Sequence, residues 1–144
     1  MTPDPDPAIL RFMHILVIDD DDTNERIPWF LQLEGVGFRV SAARTSTEAF
    51  DMLSSGHFDV VCFDHDLGDG SKDGSQIASE ILYHPEHYYL PRAVLVHSMN
   101  PVGAQNIASK FRSYGEIPTL VRDIGELMLL TPEAMGDLLR GLHG

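Results

Sequence analysis

The chain has 144 residues, 43% of them hydrophobic, and a net charge of -12 from 22 acidic and 10 basic side chains. That length suits one domain with a real apolar core, and apolar runs such as Val60–Phe63 and Ala93–Val96 are far too short to cross a bilayer. With no cluster of Lys and Arg, binding to long nucleic acid is disfavoured, and a phosphate ligand would need a metal or a local anion site to offset the acidic field.

Residues 1–12, rich in Pro and Asp, predict a disordered arm without the basic and apolar stretches of a secretory signal. Residues 13–144 predict a single domain. His14–Asp19 is an apolar run that stops at carboxylates, the pattern of a buried parallel strand. Glu25–Glu34 predicts a helix, with Trp29, Phe30 and Leu33 at helical spacing, broken by Gly35 and Gly37. Phe38–Ala43 is a second strand. Thr45 and Glu48 have capping-box spacing and open a helix that ends at Gly56. Phe58–Asp64 is the strongest strand, again apolar and again ending in a carboxylate, and it contains Cys62. A lone cysteine excludes an intrachain disulfide and fits a reducing, cytoplasmic setting.

A Gly- and Asp-rich loop, Leu67–Gly74, leads to a helix over Ser75–Tyr83, and His84–Pro91 is a loop bounded by prolines. Arg92–Ser98 is the fourth strand. Asn100 and Pro101 then suit the cap and first position of a helix. Ile117–Arg122 is the fifth strand, and Thr131-Pro132-Glu133 opens a last helix with Met135, Leu138, Leu139 and Leu142 inward.

Strands alternating with helices at this spacing predict an α/β domain of three layers, a doubly wound, five-stranded parallel sheet. Ligands of such sheets sit beyond the carboxyl ends of the strands. With strand order 2-1-3-4-5, three polar clusters converge there: Asp19–Asp22, then Asp64, His65 and Asp66, then His97, Ser98 and Asn100. Carboxylates held that close repel one another and either raise their pKa or recruit a cation. No lysine is placed to serve, so a hard divalent ion is the natural solution, Mg²⁺ by default. His65 and His97 would tilt the preference toward Mn²⁺ or Zn²⁺. The helix start at Asn100, the Ser98 hydroxyl and the Arg122 guanidinium are candidate phosphate donors.

Plainer readings stand beside these. Carboxylates after a strand often only cap the next helix, and Asp21 and Asp22 read as solvated. His97 also suits a satisfied core histidine, and Asp69 and Asp73 suit turn roles. His14, His57, His84, His87 and His143 are scattered without ligand spacing and read as structural.

From about His14 to about Leu142 the chain resembles the receiver domains of two-component response regulators. Asp19-Asp20 resemble the acidic pair that holds Mg²⁺ in receivers, Asp64 stands at the phospho-accepting position, and Ser98 stands at the hydroxyl position. Where receivers carry Lys-Pro after the fifth strand, this chain has Arg122-Asp123, and Arg does not reproduce the geometry of Lys. A variant family is more similar, the predicted cyclic-phosphate-processing receiver-like domains. Its hallmarks match Asp19-Asp20 followed by Arg26-Ile27-Pro28, then Asp64-His65-Asp66-Leu67-Gly68, then His97-Ser98-Met99-Asn100-Pro101-Val102-Gly103.

This resemblance implies a receiver (flavodoxin-like) fold. It also implies a metal-dependent phosphoesterase acting on a small, nucleotide-type cyclic phosphate. Asp19, Asp20, Asp64 and Asp66 would hold the metal, and Asp64, His97 and His65 would supply acid–base chemistry. Arg26, Ser98, Asn100 and Arg122 would hold the phosphate. Two alternatives share the site: a stand-alone receiver phosphorylated on Asp64, and a sensor that binds a cyclic phosphate without turnover. A homodimer or a separate output protein are the macromolecular partners this implies, with no membrane.

Overall fold

The computed structural model describes residues 12–68 and 70–143. The expected arm and the turn role of Asp69 lie outside the described residues, apart from Phe12. Five strands form one sheet: β1 (Met13–Ile18), β2 (Phe38–Ala43), β3 (Val60–Phe63), β4 (Ala93–Val96) and β5 (Thr119–Val121). Their order is β2-β1-β3-β4-β5 and every pairing is parallel. The helices are α1 (Arg26–Leu31), α2 (Ser46–Ser55), α3 (Gly74–Tyr83), α4 (Pro101–Lys110), α5 (Ile124–Leu127) and α6 (Pro132–His143). None of these is long and apolar enough to cross a membrane.

The two faces of the sheet carry separate cores, as the period of two along each strand dictates. Leu16, Ile18, Val61, Phe63, Val94 and Val96 face α2, α3 and α4, meeting Leu53, Ile77, Ile81 and Ile107. Ile15, Val17, Val60, Cys62, Ala93 and Leu95 face the other way onto Trp29, Phe30, Leu127, Met135 and Leu139 from α1, α5 and α6. Central strands apolar on both sides therefore result from helices covering both faces.

Several boundaries differ from the sequence expectation. The first helix is only Arg26–Leu31, tightening into a 3₁₀ turn over Gln32–Val36 before Gly37, whose φ of 99° closes it. The Thr45 cap is half a capping box. Its hydroxyl accepts the Glu48 N–H, but the Glu48 carboxylate accepts the N–H of Arg44 instead of closing back on Thr45. The full box lies at Asp73 and Gln76, at the start of α3. Helix α4 widens into one π turn over Phe111–Gly115. The short α5 was not expected, although Asp123 caps it by accepting the Gly125 N–H at 2.6 Å.

Candidate functional site

The strands stop one residue short of the expected carboxylates, but the sheet ladder does not. Asp19 N–H donates to Ala43, Asp64 N–H to Ile18, His97 N–H to Phe63 and Arg122 N–H to Val96, all at 2.9–3.0 Å. Backbone bonds thus hold the first residue beyond four strands, and their side chains fan out over the carboxyl edge of the sheet. An open cleft of about 190 Å³ lies there, lined by Asp20, Asp22, Arg26, Asp64, Asp66, His97, Met99 and Ile124.

Asp19 is fully buried and saturated with donors. Arg26 Nε donates to its Oδ2 at 3.0 Å and Nη2 to its Oδ1 at 3.0 Å, while the Asp21 N–H reaches Oδ1 at 2.7 Å. His97 Nε2 lies 2.9 Å from Oδ2. Burial alone would push this carboxyl up, but the hydrogen bonds from His97 and Arg26 together hold it well below the ordinary carboxylate range. An ionised carboxylate only accepts, so His97 Nε2 carries the proton of that bond. The His97 ring is buried against Phe30, with centroids 5.2 Å apart, and its Nδ1 has no partner among the described residues.

Asp20 and Asp64 are in the opposite condition. Burial raises the Asp20 carboxyl first, and the Asp19 and Asp22 charges raise it further. Burial likewise raises Asp64 and outweighs the charges around it, of which His97 and Arg26 lower the carboxyl and Asp19 raises it. Oxygens of Asp19, Asp20 and Asp64 lie within 4.8 Å of one another. Two raised carboxylates beside a third, all hard oxygen donors, suit Mg²⁺, which keeps several waters and takes few protein ligands. The donor set therefore fits such an ion, which Asp20 and Asp64 could hold. Asp66 lines the cleft with its side chain 69% exposed, outside that trio.

The loops are shaped to present these groups. Asp21, expected to be solvated, is buried at a φ of 49° and caps α1: its carboxylate accepts the N–H groups of Glu25, Arg26 and Ile27. Four acidic residues in a row are sorted by their donors: Asp19 is buried under Arg26 and His97, and Asp21 under the N–H groups of the helix start. Asp22 is exposed yet pairs with Arg26 Nη2 at 2.9 Å. Arg44 ties the same loop to β2 by donating to the Asp20 carbonyl at 2.9 Å. Gly68 adopts a φ of 80°, and a Cβ there would lie 3.1 Å from Asp20 Oδ2, so the Asp64–Gly68 motif closes against the first acidic loop.

Of the expected phosphate donors, the structure brings Arg26 to the cleft. Among the described residues no acceptor meets its Nη1. Ser98 is buried, its Oγ accepting the Asn100 N–H at 3.0 Å, and Asn100 Oδ1 accepts the Gly103 N–H to cap α4. Neither lines the cleft. Arg122 sits apart: its Nη1 donates to the Val121 carbonyl, and it borders a separate depression with Glu126, Leu127, Leu130 and Leu138.

His65 also lies off the cleft, its Nδ1 2.9 Å from Asp66 Oδ1 and its Nε2 3.7 Å from Asp73. Its ring packs on Gly103, where a Cβ would approach Nδ1 to 2.7 Å, so the last motif's glycine makes room for the second motif's histidine. Met99 and Ile124 line the cleft and were not foreseen as site residues. Ile124 was findable, because Asp123 with Glu126 three positions on is a helix-start signature.

A family model described as the cyclic-phosphate processing receiver domain matches residues 14–113. No curated protein matches the chain. Among solved structures, it is similar to the CheY-like response regulator receiver domain from Methylobacillus flagellatus, at 15% identity and a TM-score of 0.63, covering 91% of this chain and 98% of that one. The response regulator TrrA from Thermotoga maritima, solved in complex with Mg²⁺-BeF, is 18% identical with a TM-score of 0.62 over 91% and 99% of the two chains. The signal receiver domain of an HD domain-containing protein from Pseudomonas fluorescens Pf-5 is 22% identical, with a TM-score of 0.60 over 92% and 98%. At these identities the likeness is one of fold.

Proposed function

The chain belongs to the family of cyclic-phosphate processing receiver domains, and we propose that its cleft binds a small cyclic phosphate beside a divalent cation and opens the ring to a phosphomonoester. The observation that carries this reading is the pairing of two raised, cation-seeking carboxylates, Asp20 and Asp64, with an arginine at the same cleft wall. An acidic pocket repels a phosphate unless positive charge is built into it, and a cation on Asp20 and Asp64 together with Arg26 would supply that charge.

A bound divalent ion would polarise the phosphoryl oxygens and lower the pKa of a water held on it. In ring opening a water oxygen would bond to phosphorus, one ester P–O bond would break, and the proton that the water gives up would pass to the departing alkoxide. Arg26 would offer Nη1 to a non-bridging oxygen, its other donors being held by Asp19 and Asp22. His97 fixes the Asp19 end of that clamp through Nε2. Asp64, with its raised carboxyl, is the group suited to take a proton from the attacking water.

The test is ³¹P NMR of the protein with Mg²⁺ and a mixture of cyclic phosphates, against an Asp64→Asn variant. Conversion to monoesters that the variant loses is the expected result. Binding without conversion would leave a sensor. A second reading, phosphorylation of Asp64, is favoured by its place beyond the central β3, with Ser98 beyond the adjoining β4. It would take precedence if an acyl-phosphate donor labels Asp64 and no cyclic phosphate is bound.

A further inference from the structure

Away from the cleft, the loop that carries the chain from α3 into the start of β4 gathers a second set of metal-type donors. It lies at the opposite end of the sheet, because β4 runs from this loop toward His97. One ligand atom each from His84, Glu86 and His87 lies within 4.8 Å of the other two. We propose that these three side chains form a second cation site, for a first-row transition metal of the zinc class. It stands independently of the reading of the acidic cleft.

The sequence spacing alone hides this site, because positions i, i+2 and i+3 face one way only if the chain turns. It does turn: the His87 N–H donates to the His84 carbonyl at 2.9 Å and brings the two imidazoles to 6.0 Å between centroids. The turn is also held at both ends. The His84 N–H closes on the Glu80 carbonyl at the end of α3, and the Tyr89 N–H donates to the Leu53 carbonyl at 2.8 Å. Tyr88 packs on Phe50, with centroids 5.6 Å apart.

The chemistry selects the ion. Two imidazoles and one carboxylate suit zinc and its neighbours, whereas Mg²⁺ wants oxygen alone. Tetrahedral zinc holds its ligand atoms about 3.3 Å apart at its usual bond lengths. His84 Nδ1 and Glu86 Oε2 stand 3.9 Å apart, so a small rotamer adjustment suffices. Glu80 Oε2 stands 4.0 Å from His84 Nε2 on the other side of the ring, a small rotation away from the hydrogen bond that usually supports a ligating histidine. The fourth position is left to water. The chain's charge of -12 adds a field that favours a cation.

Calorimetric titration of the full chain with Zn²⁺, in excess Mg²⁺ to occupy the acidic cleft, tests the site. One Zn²⁺ should bind per chain in the wild type and equally in Asp64→Asn. Its affinity should fall at least about tenfold in His84→Ala and in His87→Ala. Both histidines are exposed, so neither variant should unfold. No saturable Zn²⁺ binding, or binding that both histidine variants retain, would overturn the proposal.

Discussion

Asp19 and Asp64 stand one residue beyond neighbouring strands whose last residues, Ile18 and Phe63, are register partners, and both belong to one acidic edge. Their surroundings drive them apart. Asp19 is wrapped by Arg26, His97 and the Asp21 N–H and is held ionised, while Asp64 is half-buried, meets no side-chain donor among the described residues, and its carboxyl is raised. Residue type therefore does not set the role. Donors set it, making Asp19 the anchor of a positioning network and Asp64 the group open to a ligand, the division by which paired carboxylates acquire separate chemistry.

The comparison breaks most visibly in stability. Asp19→Ala strands a buried histidine and an arginine and should cost about 3–5 kcal/mol in urea unfolding. Asp64→Asn relieves repulsion and should leave stability at neutral pH unchanged or higher. Equal losses in both variants would mean that the two carboxylates are not distinct. Cation linkage comes next: Mg²⁺ at a hundredfold excess over its Kd should add about 2.7 kcal/mol to the wild type, read as a rise in Tm, and nothing to Asp64→Asn.

A smaller loss, about 1–3 kcal/mol, is expected for Gly103→Ala, because the new methyl must displace the His65 ring. Since His65 lies off the cleft, Mg²⁺ affinity should be retained in that variant, and a parallel loss of metal binding would draw His65 into the site. Smallest is the pH dependence, at most about 1.4 kcal/mol per pH unit for one proton. Asp19 is depressed on folding, so its contribution is present above the unfolded carboxyl value and is lost as pH falls through the lower folded one. Asp64 is raised, so its penalty sets in as pH rises past the unfolded value and is complete above the folded one. Metal-free unfolding of Asp19→Asn and Asp64→Asn across the acid range should therefore depart from wild type with opposite slopes.

Much of this was legible in the sequence. Apolar runs stopping at Asp19, Asp64 and His97 marked the strand ends, because burial on both faces leaves little else such runs can be, while the order of the strands came with the resemblance to receiver domains. The motifs also identified Arg26 as a cleft residue despite the residues between it and Asp20. Sorting within the cluster was not legible. Nothing local tells that Asp21 turns under α1 while Asp22 stays in water, since a positive φ at Asp21 decides it. Arg122 and His65 carry suitable chemistry at suitable places in the chain, but one side chain folds back on its own strand end and the other lies over Gly103. The gathering of His84, Glu86 and His87 depends on a turn bonded at 2.9 Å, which composition does not announce.

The most direct test of the central claim is a calorimetric Mg²⁺ titration of the wild type, Asp20→Asn and Asp64→Asn at neutral pH. One Mg²⁺ per chain in the wild type, with affinity lost in both variants, is the predicted result. Undiminished binding in Asp64→Asn would contradict the account, because the raised carboxylate would then not be the one that awaits the cation.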